Sequence, residues 1–597
     1  MKRLSATPNR RISYQPRLSA VAAALLLAGI GVASLALPSA AYAAAVTKAN
    51  PICTDNTALF NPDSGQDIVV PPGFKVSVFK SGLNFPTGIA FRGNKQHFEV
   101  YVLESGHGLP SRCNDQESPV VGGTFSPSNP FTPDILVFDE SGHLMRTLAK
   151  PTATGGLQPA GPAVDIAFER GLQGGRLFAT DSNQATHAHN GQNNSSRIVT
   201  VDPQTGTVTP FITMLPTGDH PTEQLAFDDK WIYWSQGSTT NSGVVGRDNG
   251  GGQDQQDIPC QDIVLSQNVF DSGGGVTTSG YSPFGTTRPG ATVKAFESAS
   301  HHGVCDGAIL RARLNSTQPD ATIEPFSWGY RNGYAISFAP ADHPLAGGLL
   351  VGEDGPDERG ARPSNGAPDP LQLARQNADG TPDYHGWPDR FGFLASSQAV
   401  FNPIGGPSDD LCVPANTPSG CTAASLAQIL TKDVPIRDVL ARPPQAITSP
   451  LAIEAADSSF TGIDFAPKSF VGGPVEDGAV LYTLEGDFGF SPPNATAPAP
   501  EVGHEIKLIN FEQKGNQALA LKVQGFARNT TGDQAFLDGT AGFNRPTNIR
   551  FGPDGCAYVA DYGAVRDNGT DTHFVGAANG PLLQIPGTGV IWKICKQ

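Results

Sequence analysis

The chain is short of positive charge, of long apolar runs and of closely spaced metal or phosphate motifs, and each shortage removes a class of function. Its 40 Lys and Arg stand against 56 Asp and Glu, a formal charge of −16, and no run of basic residues interrupts that balance. A nucleic-acid partner is excluded, because a polyanion needs a basic footprint. Beyond Leu37 no stretch reaches about 18 consecutive apolar residues, so no membrane span is expected after that point. No Cys-x-x-Cys occurs, which removes covalent haem and a zinc ribbon, and no His-Glu-x-x-His marks a zinc protease. A phosphate loop, a strand-linked Gly-x-Gly-x-x-Gly and a Gly-x-Ser-x-Gly elbow are also missing, so nucleotide cradles and α/β-hydrolase chemistry find no support.

What is abundant is turn material. The 69 Gly and 51 Pro make up about a fifth of 597 positions, which suits many short elements joined by turns. The N-terminus reads as an export signal over residues 1–43. Lys2, Arg3, Arg10, Arg11 and Arg17 form a basic region, an apolar run extends from about Ala20 to Leu37, and Ala41-Tyr42-Ala43 has the form of a cleavage site. An uncleaved anchor is the alternative, and export by the Sec or the twin-arginine route stays open, since Asn9 and Ser13 fit the latter poorly. The mature chain is expected to be secreted or periplasmic. All eight cysteines follow the signal (Cys53, Cys113, Cys260, Cys305, Cys412, Cys421, Cys556 and Cys595), an even count that reads as disulfides of open connectivity. Cys412 and Cys421 would close a small loop, and Cys556 with Cys595 would staple two strands if those are neighbours.

One short pattern recurs. A branched residue, any residue, then Phe is found at Ile89–Phe91, Ile166–Phe168, Leu225–Phe227, Ile336–Phe338, Ile463–Phe465 and Ile549–Phe551, each followed after a turn by a second apolar strand. The Phe positions are 77, 59, 111, 127 and 86 residues apart, wider than the roughly 40 to 45 of a short propeller blade. Six copies with the excess in loops predict an all-β fold, a six-bladed β-propeller over residues 74–597, preceded by a segment over 44–73. Long inter-blade insertions are expected at about 236–305 and 353–451. Outer strands are expected at Lys75–Phe79, Ile135–Phe138, Arg197–Val201, Ile309–Leu314 and Glu505–Ile509, and Val590–Ile594 could close the ring on an earlier blade. The run Gly250-Gly251-Gly252 suggests a lid.

Propellers carry functional groups on loops at one end of the channel, which directs attention to three places beside the repeat strands. Asp219-His220 precedes the third repeat, and a His tuned by a neighbouring acid suits general base work. Arg331-Asn332 enters the fourth repeat and suits a planar, acidic ligand through a rigid cationic fork beside an amide. The acidic turn Glu353-Asp354-Gly355-Pro356-Asp357-Glu358 offers what a hard cation such as Ca²⁺ takes, without the spacing of an EF-hand. His187, His189, His301 and His302 read as solvated loop residues.

Together these stretches resemble the soluble glucose/sorbosone dehydrogenase family of quinoprotein propellers over about Phe74 to Lys593. The resemblance is carried by Gly329-Tyr330-Arg331-Asn332, Asp357-Glu358-Arg359-Gly360 with Arg362-Pro363, Tyr384-His385-Gly386-Trp387-Pro388, Phe543-Asn544-Arg545-Pro546, Phe551-Gly552-Pro553-Asp554-Gly555 and Gly589-Val590-Ile591-Trp592. It implies pyrroloquinoline quinone and Ca²⁺ as cofactors, with His220 as base and Arg331, Asn332 and Arg545 on the quinone. Metal donors are then expected among Gly355, Pro356, Asp357 and Glu358. A sugar or related alcohol or aldehyde would be the substrate, and an external acceptor would take the electrons. Three positions depart from the family: Thr547 and Glu485 stand where an arginine and a lysine are expected, and Ser238 where some members have Asp. These departures keep two other readings in play, a non-catalytic ligand-binding propeller and a Ca²⁺-dependent lactonase-like hydrolase.

Overall fold

In the computed structural model, which describes residues 46–49, 57–106, 132–152, 155–159, 161–183, 195–246, 256–272, 275–357, 361–362, 367–390, 438–486, 502–513, 519–567 and 582–597, each of the six repeat triplets lies on the innermost strand of its own sheet, antiparallel but for one short outer pair in blade 3. These strands are Pro86–Gly93, Ile166–Phe168, Thr222–Phe227, Asn332–Phe338, Phe460–Phe465 and Pro546–Phe551. Each neighbours the next, and the sixth returns to the first, so the sheets form a closed ring. The six-bladed propeller is borne out, and closure explains the fold's economy: every inner strand is covered and only short outer edges face solvent. The export signal, Glu358, Cys53, Cys113, Cys412, Cys421, His187, His189 and Gly250–Gly252 lie outside the described residues.

The outer architecture differs from expectation in three ways. The strands expected at the outside of the first, second, third and fifth blades are third strands, each followed by a further one: Leu144–Leu148, Val208–Leu215, Glu324–Trp328 and Leu519–Asn529. Their weaker alternation hid them, as in Leu144–Leu148, where only Leu148 is fully buried. The span expected as an insertion after Glu353 supplies the third strand of blade 4, Asp369–Ala374. Finally, Gly589–Lys596 does not join an earlier blade. It is the third strand of blade 6, and Phe74–Leu83 from the start of the fold is the fourth.

Blade 6 thus closes the ring by pairing the two ends of the propeller. The closure is packed with aromatics: Tyr558 takes Phe79 and Phe91 edge-on at 5.3 and 4.9 Å, arrangements worth about 0.5–1.5 kcal/mol each beyond burial. Cys556–Cys595 bridges its second and third strands as expected, and Cys260–Cys305 ties the loop after blade 3's second strand to the start of its third. Among the described residues no helix is long and apolar enough to cross a membrane.

Candidate functional site

Aligning the six triplets shows what fills the channel. The residue just before each branched position is Gly88, Asp165, Gln224, Ala335, Gly462 and Asn548 in blade order. Three small residues leave room for three polar ones, which reach across. Asn548 Nδ2 donates to Thr87 O of blade 1 at 2.9 Å and to Asp165 Oδ1 of blade 2 at 3.3 Å. Leu225 N donates to Asp165 Oδ2 at 3.0 Å, and Gln224 Nε2 donates to Thr461 O of blade 5 at 2.7 Å. Arg550 Nη2 completes the plug on Gln224 Oε1 at 3.2 Å. The channel is closed by hydrogen bonds, so ligands reach its mouths and not its length.

The two mouths differ. At the ends of the innermost strands lies a cavity of about 970 Å³ bordered by Phe168, Arg176, Phe227, Asp228, Phe338 and Arg550. At their starts, five of the six pairs of first and second strands slip register, at Pro86/Gly88, Thr222/Leu225, Asn332/Ala335, Phe460/Gly462 and Pro546/Asn548. Such bulges re-aim side chains, and the expected site residues that are described belong to this mouth. His220 Nδ1 lies 3.4 Å from Asp219 Oδ2, with the histidine side chain 16% exposed and the aspartate 6%. Arg331 Nη2 reaches the same Asp219 oxygen at 3.2 Å and Asp357 Oδ2 at 2.6 Å. The backbone supports this arrangement: His220 N donates to Ser238 O at 3.1 Å and Ser238 N to Arg331 O at 2.9 Å. Ser238 spends its hydroxyl on Thr240 O, so it does not assist the histidine.

Behind Arg331 the family-like aromatic stretch is structural. Tyr330 stacks on His385 at 4.8 Å, Trp328 packs on Tyr384 at 4.5 Å, and the Tyr384 hydroxyl donates to Gly386 O. Asn241 and Asp357 exchange hydrogen bonds, Asp357 N to Asn241 Oδ1 at 2.9 Å and Asn241 Nδ2 to Asp357 O at 3.0 Å. Gly355 and Pro356 are buried, and Gly355 N donates to Asp369 Oδ1 at 2.7 Å. Arg545 stands across the mouth on blade 6, its backbone N held by Asp561 Oδ1 and its Nη1 donating to Gly486 O at 2.8 Å. Thr547 Oγ1 donates to Pro86 O at 2.9 Å and acts as a strut between blades 6 and 1.

Carboxylates outside the expected set of metal donors complete this mouth. Glu223 and Asp354 are buried, and Asn332 Nδ2 donates to Asp354 Oδ2 at 3.2 Å. Glu223 Oε2, Asp354 Oδ1 and Asn332 Oδ1 have no hydrogen-bond partner among the described residues. Burial holds both acids well above the usual carboxylate range. The Glu485 charge adds to this at each, while Arg331 opposes it. Glu485 is pushed up to about 7, first by desolvation, with Arg545 pulling the other way. The signal for Glu223 was present in the repeat alignment: two places before the branched residue the other blades carry Thr87, Val164, Tyr334, Thr461 and Thr547, and only blade 3 carries an acid.

No family model and no curated protein sequence matches the chain. Among solved structures, the fold aligns with a Trichoderma reesei protein of carbohydrate-active enzyme family AA12 over 89% of this chain and 98% of that one, at 14% identity and a TM-score of 0.45. It also aligns with a candidate oxidoreductase (glucose dehydrogenase) from Thermus thermophilus over 87% and 99%, at 12% identity and a TM-score of 0.42. Likeness of this degree leaves the functional reading to the site itself.

Proposed function

We propose that the chain is an exported oxidoreductase that oxidises a sugar or a related alcohol or aldehyde at this mouth, with His220 as the base. The observation that carries the reading is the Asp219–His220 pair, a partly exposed imidazole backed by a buried carboxylate that Arg331 also holds. With Nδ1 facing the carboxylate at 3.4 Å, Nε2 is the nitrogen that would take a substrate hydroxyl proton, and Asp219 would stabilise the imidazolium that forms. The two disulfides among the described residues suit an oxidising compartment.

The residues present suit the cofactors that the family resemblance implies. The acceptor atoms left over on Glu223, Asp354 and Asn332 suit a hard cation. Arg331, Asn332 and Arg545 would hold pyrroloquinoline quinone, with Glu485 and Thr547 adding no positive charge, so anchoring of its carboxylates falls to the two arginines and the Ca²⁺. The quinone, when bound, supplies a two-electron carbonyl acceptor. A Ca²⁺-dependent hydrolase is the second reading, favoured by side-chain oxygens contributed from two adjacent blades.

The test is His220→Ala in the quinone- and calcium-loaded protein. Dye-coupled turnover should vanish while quinone affinity stays within about twofold. Equal loss of both would remove His220 from the base role.

A further inference from the structure

Three acceptor atoms at the channel mouth lack a partner among the described residues, and all three belong to side chains more than nine-tenths buried: Glu223 at 1%, Asn332 at 2% and Asp354 at 8% exposure. We propose that Glu223, Asp354 and Asn332 together hold a hard divalent cation, Ca²⁺ by the chemistry of the set.

The local geometry leads there in steps. Asn332 and Asp354 are register partners on the first and second strands of blade 4. The one donor group of this pair, Asn332 Nδ2, is spent on Asp354 Oδ2, which leaves an amide oxygen and a carboxylate oxygen as the surplus. Glu223 comes from the bulged start of blade 3, the neighbouring inner strand, and lies within electrostatic reach of Asp354 and Glu485. On these three side chains the surplus is made only of buried oxygen acceptors, which suits a ligand that is all positive. Leaving such atoms unsatisfied is costly, and a cation shared by the three would satisfy them together. Arg331 is the nearby fixed charge acting on both acids, and its Nη2 is spent on Asp219 and Asp357 while its Nε has no hydrogen-bond partner among the described residues. Hard oxygen donors with no nitrogen or sulfur select Ca²⁺ over zinc-type metals.

Among the described residues no group of three or more His, Cys, Asp or Glu side chains is arranged to hold a metal. Two carboxylates and one amide agree with that, and they leave the six to eight oxygens of a calcium shell incomplete. The remaining positions would go to water or to substrate and cofactor oxygens, which places the metal where chemistry could use it. The assignment moves the calcium of the proposed reaction from the Gly355–Pro356 turn to side chains of two blades. In that respect it rests on the reading above.

The experiment uses the metal alone. The full chain, stripped with a chelator, is titrated with Ca²⁺ by calorimetry and its melting temperature is followed with and without Ca²⁺, with no quinone or substrate present. The wild type should bind one strong equivalent and melt higher with Ca²⁺. Glu223→Gln and Asp354→Asn should each weaken binding at least tenfold, and Asn332→Asp, which adds a carboxylate in place, should tighten it. Asp228→Asn, at the opposite mouth, should bind as the wild type does. No calcium-dependent change in the wild type, or unchanged binding in both acid variants, would overturn the site and show that the two acids simply keep their protons. Calcium binding with this variant pattern but no sugar oxidation would uphold the site while removing the oxidoreductase reading.

Discussion

Asp165→Ala tests the channel plug that separates the two mouths. The side chain is fully buried. Its carboxylate accepts Leu225 N–H at 3.0 Å and Asn548 Nδ2–H at 3.3 Å, with Arg550 Nη2 at 3.7 Å. Truncation orphans two buried donors, at about 1–3 kcal/mol each. Arg550 loses a counterion but keeps Gln224 Oε1 and Ile463 O, and its side chain is 18% exposed, so little is added there. Against this, burial already pushes the Asp165 carboxyl up despite Arg550, so removing it returns part of a desolvation cost. The net is a loss of about 3 kcal/mol. Asp165→Asn keeps an acceptor for Leu225 N–H and should lose about half as much. Urea unfolding followed by tryptophan fluorescence should show midpoints falling in the order wild type, Asn, Ala at an unchanged slope. An Ala variant within about 0.5 kcal/mol of wild type would refute the plug as a cross-blade brace.

Three further outcomes follow from the same structure. A Cβ on Gly237 would sit 2.3 Å from His220 Cβ, so Gly237→Ala should displace the imidazole by about 1 Å and cut turnover about 10²-fold, with a stability loss of about 1–3 kcal/mol from the overpacked contact; full activity would mean that His220 is not the base. Replacing Cys260 and Cys305 by Ala opens a bridge spanning 45 residues and should cost about 4 kcal/mol in thermal or urea unfolding; a loss under about 1 kcal/mol would show that the loop is held by packing alone. In blade 1 Glu104 is pushed up to about 8, first by burial and then by Asp134. Because its folded value lies above the ordinary 4.5, its stabilising protonation is complete below about pH 4.5 and lost as pH rises through about 8. Glu104→Gln should therefore flatten the decline in stability across that window, on the order of 5 kcal/mol, and an identical pH slope in both proteins would count against the burial argument.

The ring of blades was legible because each inner strand is buried on both faces, which forces the branched-x-Phe triplet six times whatever the loops do. The outermost strands were not, since half-exposed strands tolerate almost any alternation; Val208–Leu215 carries Pro210 and an exposed Met214. Closure was half legible: Val590–Ile594 reads as a strand from sequence, but its partner Phe74–Leu83 lies some five hundred residues away and no local signal joins them. At the mouth, His220, Arg331 and Asn332 stood out as polar residues next to apolar repeats, and Arg545 through the family resemblance. Glu223 hid inside a repeat, where a bulge turns it, and bulges leave no mark in composition. Asp354 was visible only as part of an acidic turn, and its pairing with Asn332 depends on strand register.

The central claim is that this mouth binds a quinone beside a cation and oxidises a hydroxyl-bearing substrate. Titrating the calcium-loaded full chain with pyrroloquinoline quinone, and then adding a panel of sugars and aldehydes while following quinone absorbance, tests it most directly. The account predicts stoichiometric binding and substrate-driven bleaching that disappears in His220→Ala. Absence of binding at micromolar quinone would contradict it, leaving the acids of this mouth to serve a different ligand.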